Sequence, residues 1–131
     1  MKVLDKITAD YNDTIDNEDS LIKNIRETNF IEFEKMGIPS SKEEFWKYTD
    51  PSIIGDKEFS LGLGSYIEDD SFDIILVNGK LIKKSEKIES NEIKQGLSSN
   101  KIKTEFFNKT KNPFINLNNA FLDKGCYLIF K

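Results

Sequence analysis

The stretch from Gly37 to Pro51 constrains the fold more than any other part of the chain. It begins with a glycine and a nearby proline, which together end a preceding helix because glycine readily adopts the left-handed cap conformation. Ser41 and Glu44 have the spacing of a capping box, in which two side chains satisfy orphan N–H groups of a new helix. Asp50 precedes a proline and is therefore pushed out of the helical region. The stretch predicts a helix end, a turn and a short helix over about 42–48.

The composition indicates a single domain with a hydrophobic core. Of the 131 residues, 37% are hydrophobic and 32% are charged, a balance that allows a core without being typical of disorder. The net charge of −4 argues against a general binder of nucleic acid or anionic membranes, which needs clustered positive charge. No apolar run approaches the length of a membrane span. We therefore expect neither nucleic acid nor membrane as a partner.

The absence of histidine excludes several kinds of site. Without histidine, Ser-His-Asp and Cys-His nucleophile systems are excluded, as are zinc and haem sites with histidine ligands. A single cysteine excludes a cysteine-only metal site within one chain. Carboxylate, lysine or tyrosine catalysis has no specific support, so we predict no catalytic, cofactor-binding or metal-binding residues and no enzymatic activity. One cysteine and an N-terminus without the apolar core of a signal peptide predict a cytoplasmic location.

Hydrophobic periodicity predicts helices in the first third of the chain. Apolar side chains every four residues from Val3 to Ile15 predict a first helix that frays near Asn12. A second helix is expected over 20–36, capped by Asp19 or Ser20 and ended by glycine. Its apolar stripe faces the core, whereas four charged side chains are expected in solvent: Lys23, Arg26, Glu27 and Glu34.

The later part of the chain predicts strands and short helices. Residues 72–77 are mostly apolar and β-branched, which is typical of a strand buried on both faces. Asn78 and Gly79 follow directly and are the strongest short-range hairpin signal. Asn112 before a proline predicts a helix that ends near Asp123. A final strand is expected over 126–130, at the end of the chain.

Three segments in this order resemble the SufD family, scaffold subunits of iron–sulfur cluster assembly. Gly37-Ile38-Pro39, followed by Glu44-Phe45-Trp46-Lys47-Tyr48-Thr49, is similar to the signature near the family's N-terminus. Ile75-Leu76-Val77-Asn78-Gly79-Lys80-Leu81 is similar to its hairpin motif. Phe114-Ile115-Asn116-Leu117-Asn118-Asn119-Ala120-Phe121-Leu122-Asp123-Lys124-Gly125 is similar to the segment that leads into its core. The order and separations agree over about 30–131.

The signature residues are expected to be structural rather than chemical. They are the positions at which this chain matches the family's motifs: Gly37, Pro39, Trp46, Lys47, Tyr48, Thr49, Asn78, Gly79, Leu117, Asn118, Ala120, Phe121 and Gly125. Trp46 and Tyr48 are expected in the core with their polar tips at the surface, because amphipathic spacing explains them without a binding role.

The resemblance implies an α+β fold for the N-terminal part of a truncated scaffold. About three helices are followed by a small β-hairpin or sheet with further short helices. The chain then ends in what resembles the first strand of a right-handed parallel β-helix. The implied N-terminal domain is 1–111, helical over 1–54 and mixed over 55–111, and 112–131 begin the β-helix core. The implied partners are SufB and SufC, at interfaces mostly beyond this chain. No cofactor is bound by the chain itself, whereas the implied complex handles iron–sulfur clusters.

An alternative prediction does not depend on the resemblance to the SufD family. An isolated hydrophobic strand at the end of the chain would present unpaired backbone groups at its edge. The chain would then be an independent protein–protein interaction domain, unrelated to cluster assembly, whose terminal strand pairs with a partner or with a second copy.

Cys126 is predicted to be a buried, unreactive thiol rather than a sulfur acceptor. It alternates with Leu128 and Phe130 in an apolar strand, where burial suppresses the thiolate form. We expect slow alkylation of the folded chain at neutral pH and fast alkylation after denaturation, measured by mass spectrometry. Fast labelling of the folded chain would contradict the prediction.

Overall fold

The computed structural model describes residues 2–14, 19–59, 64–78, 80–87, 93–95, 104–122 and 126–128, and these residues form an α+β fold. Their helices are α1 (Lys2–Thr14), α2 (Ser20–Met36) and α3 (Pro113–Ala120). Their strands are β1 (Ile74–Val77), β2 (Lys80–Lys84), β3 (Ile93–Gln95) and β4 (Cys126–Leu128). Short 3₁₀ turns cover Glu44–Trp46, Pro51–Asp56 and Thr104–Phe107. The predicted fold class is confirmed at this level.

Helix α2 has the predicted bounds, and both of its ends are capped as the sequence indicates. The Asp19 carboxylate accepts hydrogen bonds from the N–H groups of Leu21 and Ile22, at 3.0 and 3.3 Å. Gly37 has φ +67° and donates its N–H to the Phe33 carbonyl at 2.7 Å. Because only glycine adopts this left-handed conformation without strain, the helix ends where the glycine stands.

The core lies where α1 and α3 pack against α2. The Tyr11 ring stacks on Phe30 with centroids 3.7 Å apart and planes within 5° of parallel. Phe33 and Ala120 complete the buried cluster, and Leu117 and Phe121 pack against it. Helix α1 also contacts the turn Pro51–Asp56. Ile15, the predicted end of the α1 stripe, lies outside the described residues.

Arg26 is the clearest departure from the sequence pattern. It is the only arginine in the chain, and its prediction as a solvated side chain is wrong, because it is 0% exposed. Its Nε donates to the carbonyl of Ala120 at 2.9 Å, and its Nη2 donates to Thr14 Oγ1 at 3.0 Å. The guanidinium therefore lies where α1 and α3 end, and a cation is favoured at the negative end of a helix dipole.

The prediction of a third α-helix over about 42–48 is wrong. Residues 44–46 form a 3₁₀ turn, and Thr49 N–H donates to the carbonyl of Trp46, three residues earlier, at 3.0 Å. The 3₁₀ turn has no side-chain cap, and Ser40 N–H donates to Glu43 Oε1 at 3.2 Å in the turn before it. The segment connects the end of α2 to the next 3₁₀ turn, and short connectors commonly take 3₁₀ geometry.

The predicted hairpin is present. β1 pairs antiparallel with β2, and the register joins Val77 to Lys80 across the two-residue turn. Asn78 has φ +48°, as this turn requires. Burial of the strand on both faces is wrong, since Leu76 is 49% exposed and the rest of β1 is half-buried. The described contacts of this two-stranded ribbon leave a large part of one face in solvent.

β4 lies in a second sheet, where it pairs antiparallel with β3 and Cys126 stands opposite Gln95. The start of a parallel β-helix stays a prediction.

Helix α3 begins as expected, because the Asn112 side chain accepts from Phe114 N–H at 3.0 Å. The helix ends at Ala120, before the predicted end near Asp123. The domain boundary between 111 and 112 also stays a prediction, although α3 contributes to the same core as α1 and α2.

Replacement of Arg26 by methionine should destabilise the chain. The change leaves the Ala120 carbonyl and the Thr14 hydroxyl without their charged donor. We expect a loss of about 1–3 kcal/mol in the free energy of unfolding, measured by urea denaturation.

Lys35→Met is the matched control, since Lys35 is an exposed cation on the same helix. It should change the free energy of unfolding by about 0.5 kcal/mol or less. An Arg26→Met variant as stable as the parent chain would show that the cost of burying the cation offsets its hydrogen bonds.

Candidate functional site

The first and third sequence motifs meet in the structure. The Trp46 ring lies edge-on against Phe114, with centroids 5.4 Å apart and planes 84° to each other. The side-chain amide of Asn116 lies 3.4 Å from the Met36 sulfur. Residues from the end of α2, the following 3₁₀ turn and α3 therefore form one continuous surface. This region is the candidate functional site, because the first and third motifs come into contact there.

The signature residues of the first motif have different environments. Gly37 ends α2, and Pro39 is fully buried beside it. Trp46 is half-buried, which agrees with the predicted packing role. The core prediction for Tyr48 is wrong, because this side chain is 91% exposed. The Lys47 ammonium lies 5.5 Å from the centre of the Tyr48 ring, within cation–π distance.

The signature residues of α3 are mostly buried. Ala120 is completely buried at the crossing with α2, where its small side chain allows close approach. Leu117 and Phe121 are half-buried against the core cluster. Asn118 lies on the opposite side of the helix and is exposed. The motif therefore places three core residues and one solvated amide on a short helix.

A buried amide network joins these elements and was missed at the level of sequence. Asn29 Nδ2 donates to the Phe107 carbonyl at 2.8 Å, and Asn119 Nδ2 donates to Asn29 Oδ1 at 3.2 Å. Asn116 Oδ1 accepts from Thr110 N–H at 2.8 Å. These bonds fix α2, α3 and the chain before α3 to one another. The available signal was the i, i+3 spacing of two asparagines on a helix whose other residues are mostly apolar.

The hairpin motif contacts the segment that precedes it. A side chain at Gly64, which has φ +70°, would collide with Val77. Ser85 N–H donates to the Asp73 carbonyl at 2.7 Å. Gly79 and Gly125, the remaining signature positions, lie outside the described residues.

A groove borders Trp46 and α3. We call it the aromatic groove; its volume is about 370 Å³ and its lining residues are Phe45, Trp46, Thr110, Lys111, Asn112 and Ile115. Phe45 is 93% exposed, and Ile115 is also exposed. The sequence predicted that Trp46 and Tyr48 of the 42–48 segment lie in the core. The 3₁₀ geometry instead projects Phe45 and Tyr48 into solvent.

A second surface combines negative charge with apolar side chains. We call residues 64–73 the acidic loop; Ile67 is 90% exposed there, and Tyr66 and Phe72 are also exposed. Its carboxylates are not arranged as a metal site. Hydrogen bonds from the side chain and from the backbone N–H of Ser71 lower the pKa of the Asp69 carboxyl. The ion pair between Asp70 and Lys83 lowers the pKa of Asp70 and raises the pKa of Lys83.

Within the described part of the chain, no three side chains of histidine, cysteine, aspartate or glutamate converge in a way that could hold a metal ion. The backbone of Cys126 lies in β4. Among the described helices, none combines the length and the apolar character needed to cross a membrane. What the structure offers is exposed aromatic surface around a groove.

Comparison of the chain with protein-family models, with curated proteins and with solved structures gives no match.

The Tyr11 hydroxyl is buried, and among the described residues it has no hydrogen-bond partner. Burial raises the pKa of Tyr11; the nearby Glu27 carboxylate acts in the same direction, whereas Arg26 opposes it. A free tyrosine ionises near pH 10, so above that pH the unfolded chain releases the proton more readily than the folded chain. The folded state therefore loses stability as the pH rises past about 10.

Replacement of Tyr11 by phenylalanine should not destabilise the chain. It removes a buried hydroxyl that lacks a partner and keeps the stacked ring, so we expect a gain of up to about 1 kcal/mol at neutral pH. The variant should also lose less stability than the parent between pH 9 and 11, measured by urea denaturation. Tyr48→Phe, at an exposed ring, is the control and should leave the pH profile unchanged. A clear loss of stability in Tyr11→Phe would show that the hydroxyl binds an acceptor.

Proposed function

We propose that this chain is the N-terminal module of a SufD-like scaffold in iron–sulfur cluster assembly. The observation that supports the proposal is the contact between two of the matching motifs. Trp46, from the first motif, packs on Phe114, from the third, although the two are far apart in the sequence. Motifs that match by chance have no reason to meet, whereas parts of one structural joint do.

The proposed role is structural and non-catalytic. Several of the signature residues end a helix, fill a buried position or pack on the core, as Gly37, Pro39 and Ala120 do. Such a module would close the start of the β-helix, much as terminal repeats cap a solenoid. In this proposal β4 is its first strand. Since β3 pairs with one edge of β4, the continuing sheet would add at the other edge.

The proposed partners are SufB and SufC, in the cytoplasm. The interfaces with both would lie mostly beyond residue 131, so the module itself would bind neither the ATPase subunit nor the cluster. Iron–sulfur clusters would be handled by the complete complex. The exposed aromatic surface at Phe45 and Tyr48 would remain available for a further protein.

The alternative function is a stand-alone protein–protein interaction domain. The observation in its favour is the high exposure of Phe45 and Tyr48, since large exposed aromatic side chains are enriched at binding surfaces. Under this alternative, the motifs would resemble the family only by chance, and the aromatic groove would be the main functional feature.

The gene beyond the codon for Lys131 distinguishes the two functions. We expect the reading frame to continue into β-helix repeats, because a scaffold needs them. Co-expressed with SufB and SufC, the longer product should co-purify with both, whereas residues 1–131 alone should bind neither. An in-frame stop after Lys131, with no neighbouring genes for cluster assembly, would contradict the proposal. Equal binding by the short chain would place the interfaces within it, which also contradicts the proposal.

A further inference from the structure

The aromatic groove and the acidic loop have complementary chemistry. The groove is lined by two aromatic side chains and one isoleucine, and its single charged lining residue is Lys111. Lys47 is exposed on the first segment that forms the groove, together with Glu43 and Glu44, and Lys109 on the second segment pairs with Glu32, so the charge in the groove lining itself is that of Lys111. An occupant should therefore present an apolar side chain next to carboxylates.

The acidic loop has this composition. Ile67 is almost fully exposed and is followed directly by Glu68, Asp69 and Asp70. Phe72, also exposed, lies next to Asp73. Lys83 pairs with Asp70, which leaves an excess of negative charge in the loop. The exposure of Ile67 also shows that the loop does not fill the groove of its own copy.

We propose that the chain dimerises weakly, with the acidic loop of each copy docked in the aromatic groove of the other. Ile67 enters the groove beside Phe45, and Glu68 faces Lys111. A single contact between a loop and a groove is much smaller than a standard interface of about 1,600 Å². Two reciprocal contacts around a two-fold axis double the buried area. A dissociation constant on the order of 100 μM is expected from contacts of this size. This proposal does not depend on a role in cluster assembly.

Truncation of apolar side chains tests the docking. Sedimentation equilibrium of the 131-residue chain should show a monomer–dimer equilibrium. Ile67→Ala and Phe45→Ala should each weaken it by about tenfold or more, because each removes a large apolar side chain from the contact. Ile53→Ala is the matched control, since Ile53 is 65% exposed outside both surfaces, and it should leave the equilibrium unchanged. All of these side chains are exposed, and circular dichroism verifies that each variant is folded.

Charge exchange tests the orientation. Glu68→Lys and Lys111→Glu should each weaken the dimer several-fold, because each places like charges together. The two changes combined in one chain should restore most of the affinity. Lys57→Glu, at an exposed lysine outside the groove lining, is the control for the change in net charge.

Three results would overturn the proposal. The first is a monomer at concentrations up to about 1 mM, the weakest range in which a specific contact is measurable. The second is a dimer that is unaffected by Ile67→Ala and Phe45→Ala, which would be held by another surface such as the edge of β4. The third is a chain with both Glu68→Lys and Lys111→Glu that dimerises no more tightly than either single variant. None of these results bears on co-purification with SufB and SufC, so this proposal can fail without the proposed function.

Discussion

The helical part of the chain depends on one buried cation. The guanidinium of Arg26 bonds to the C-terminal ends of two helices that pack against its own helix. Burial of a charge is costly, and such a group is retained only where hydrogen bonds and local dipoles compensate it. Its planar fork donates in two directions at once, to the ends of α3 and α1, whereas its buried Nη1 has no hydrogen-bond partner among the described residues. The aromatic stack beneath it and the amide network beside it complete the same joint.

The parts of the fold that could be predicted are those that depend on neighbouring residues. Asp19, Gly37 and the Asn112-Pro113 pair set helix ends through bonds that span a few residues. Asn78 sets a turn in the same local way. The burial of Arg26 and Asn29 could not be predicted, since each has a partner more than 75 residues away along the chain. A polar side chain on a helix is usually solvated, and only the tertiary partner reverses that expectation.

Little of the candidate site was indicated by the sequence. Among the residues that line the aromatic groove, only Trp46 belongs to the predicted signature, and its ring packs on Phe114 of α3. The exposure of Tyr48 was not predictable, because a 3₁₀ turn and an α-helix distribute the same side chains over different faces. In a 3₁₀ turn each N–H bonds to the carbonyl three residues earlier rather than four, and this difference changes which aromatic ring faces the core. The candidate surface thus depends on the hydrogen-bonding pattern of a short turn, which sequence periodicity resolves poorly.

The dependence of the core on α3 also determines when the protein can fold. Arg26 and its acceptor at Ala120 are separated by 94 residues, so the contact closes a long loop and contributes to a high contact order. On the ribosome, α1 and α2 emerge early but lack the third side of their core until α3 has left the exit tunnel. Tyr11 and Phe30 can stack before then, but the side of this pair that α3 covers remains exposed during synthesis of the intervening strands. The core can therefore be completed only after α3 has been synthesised.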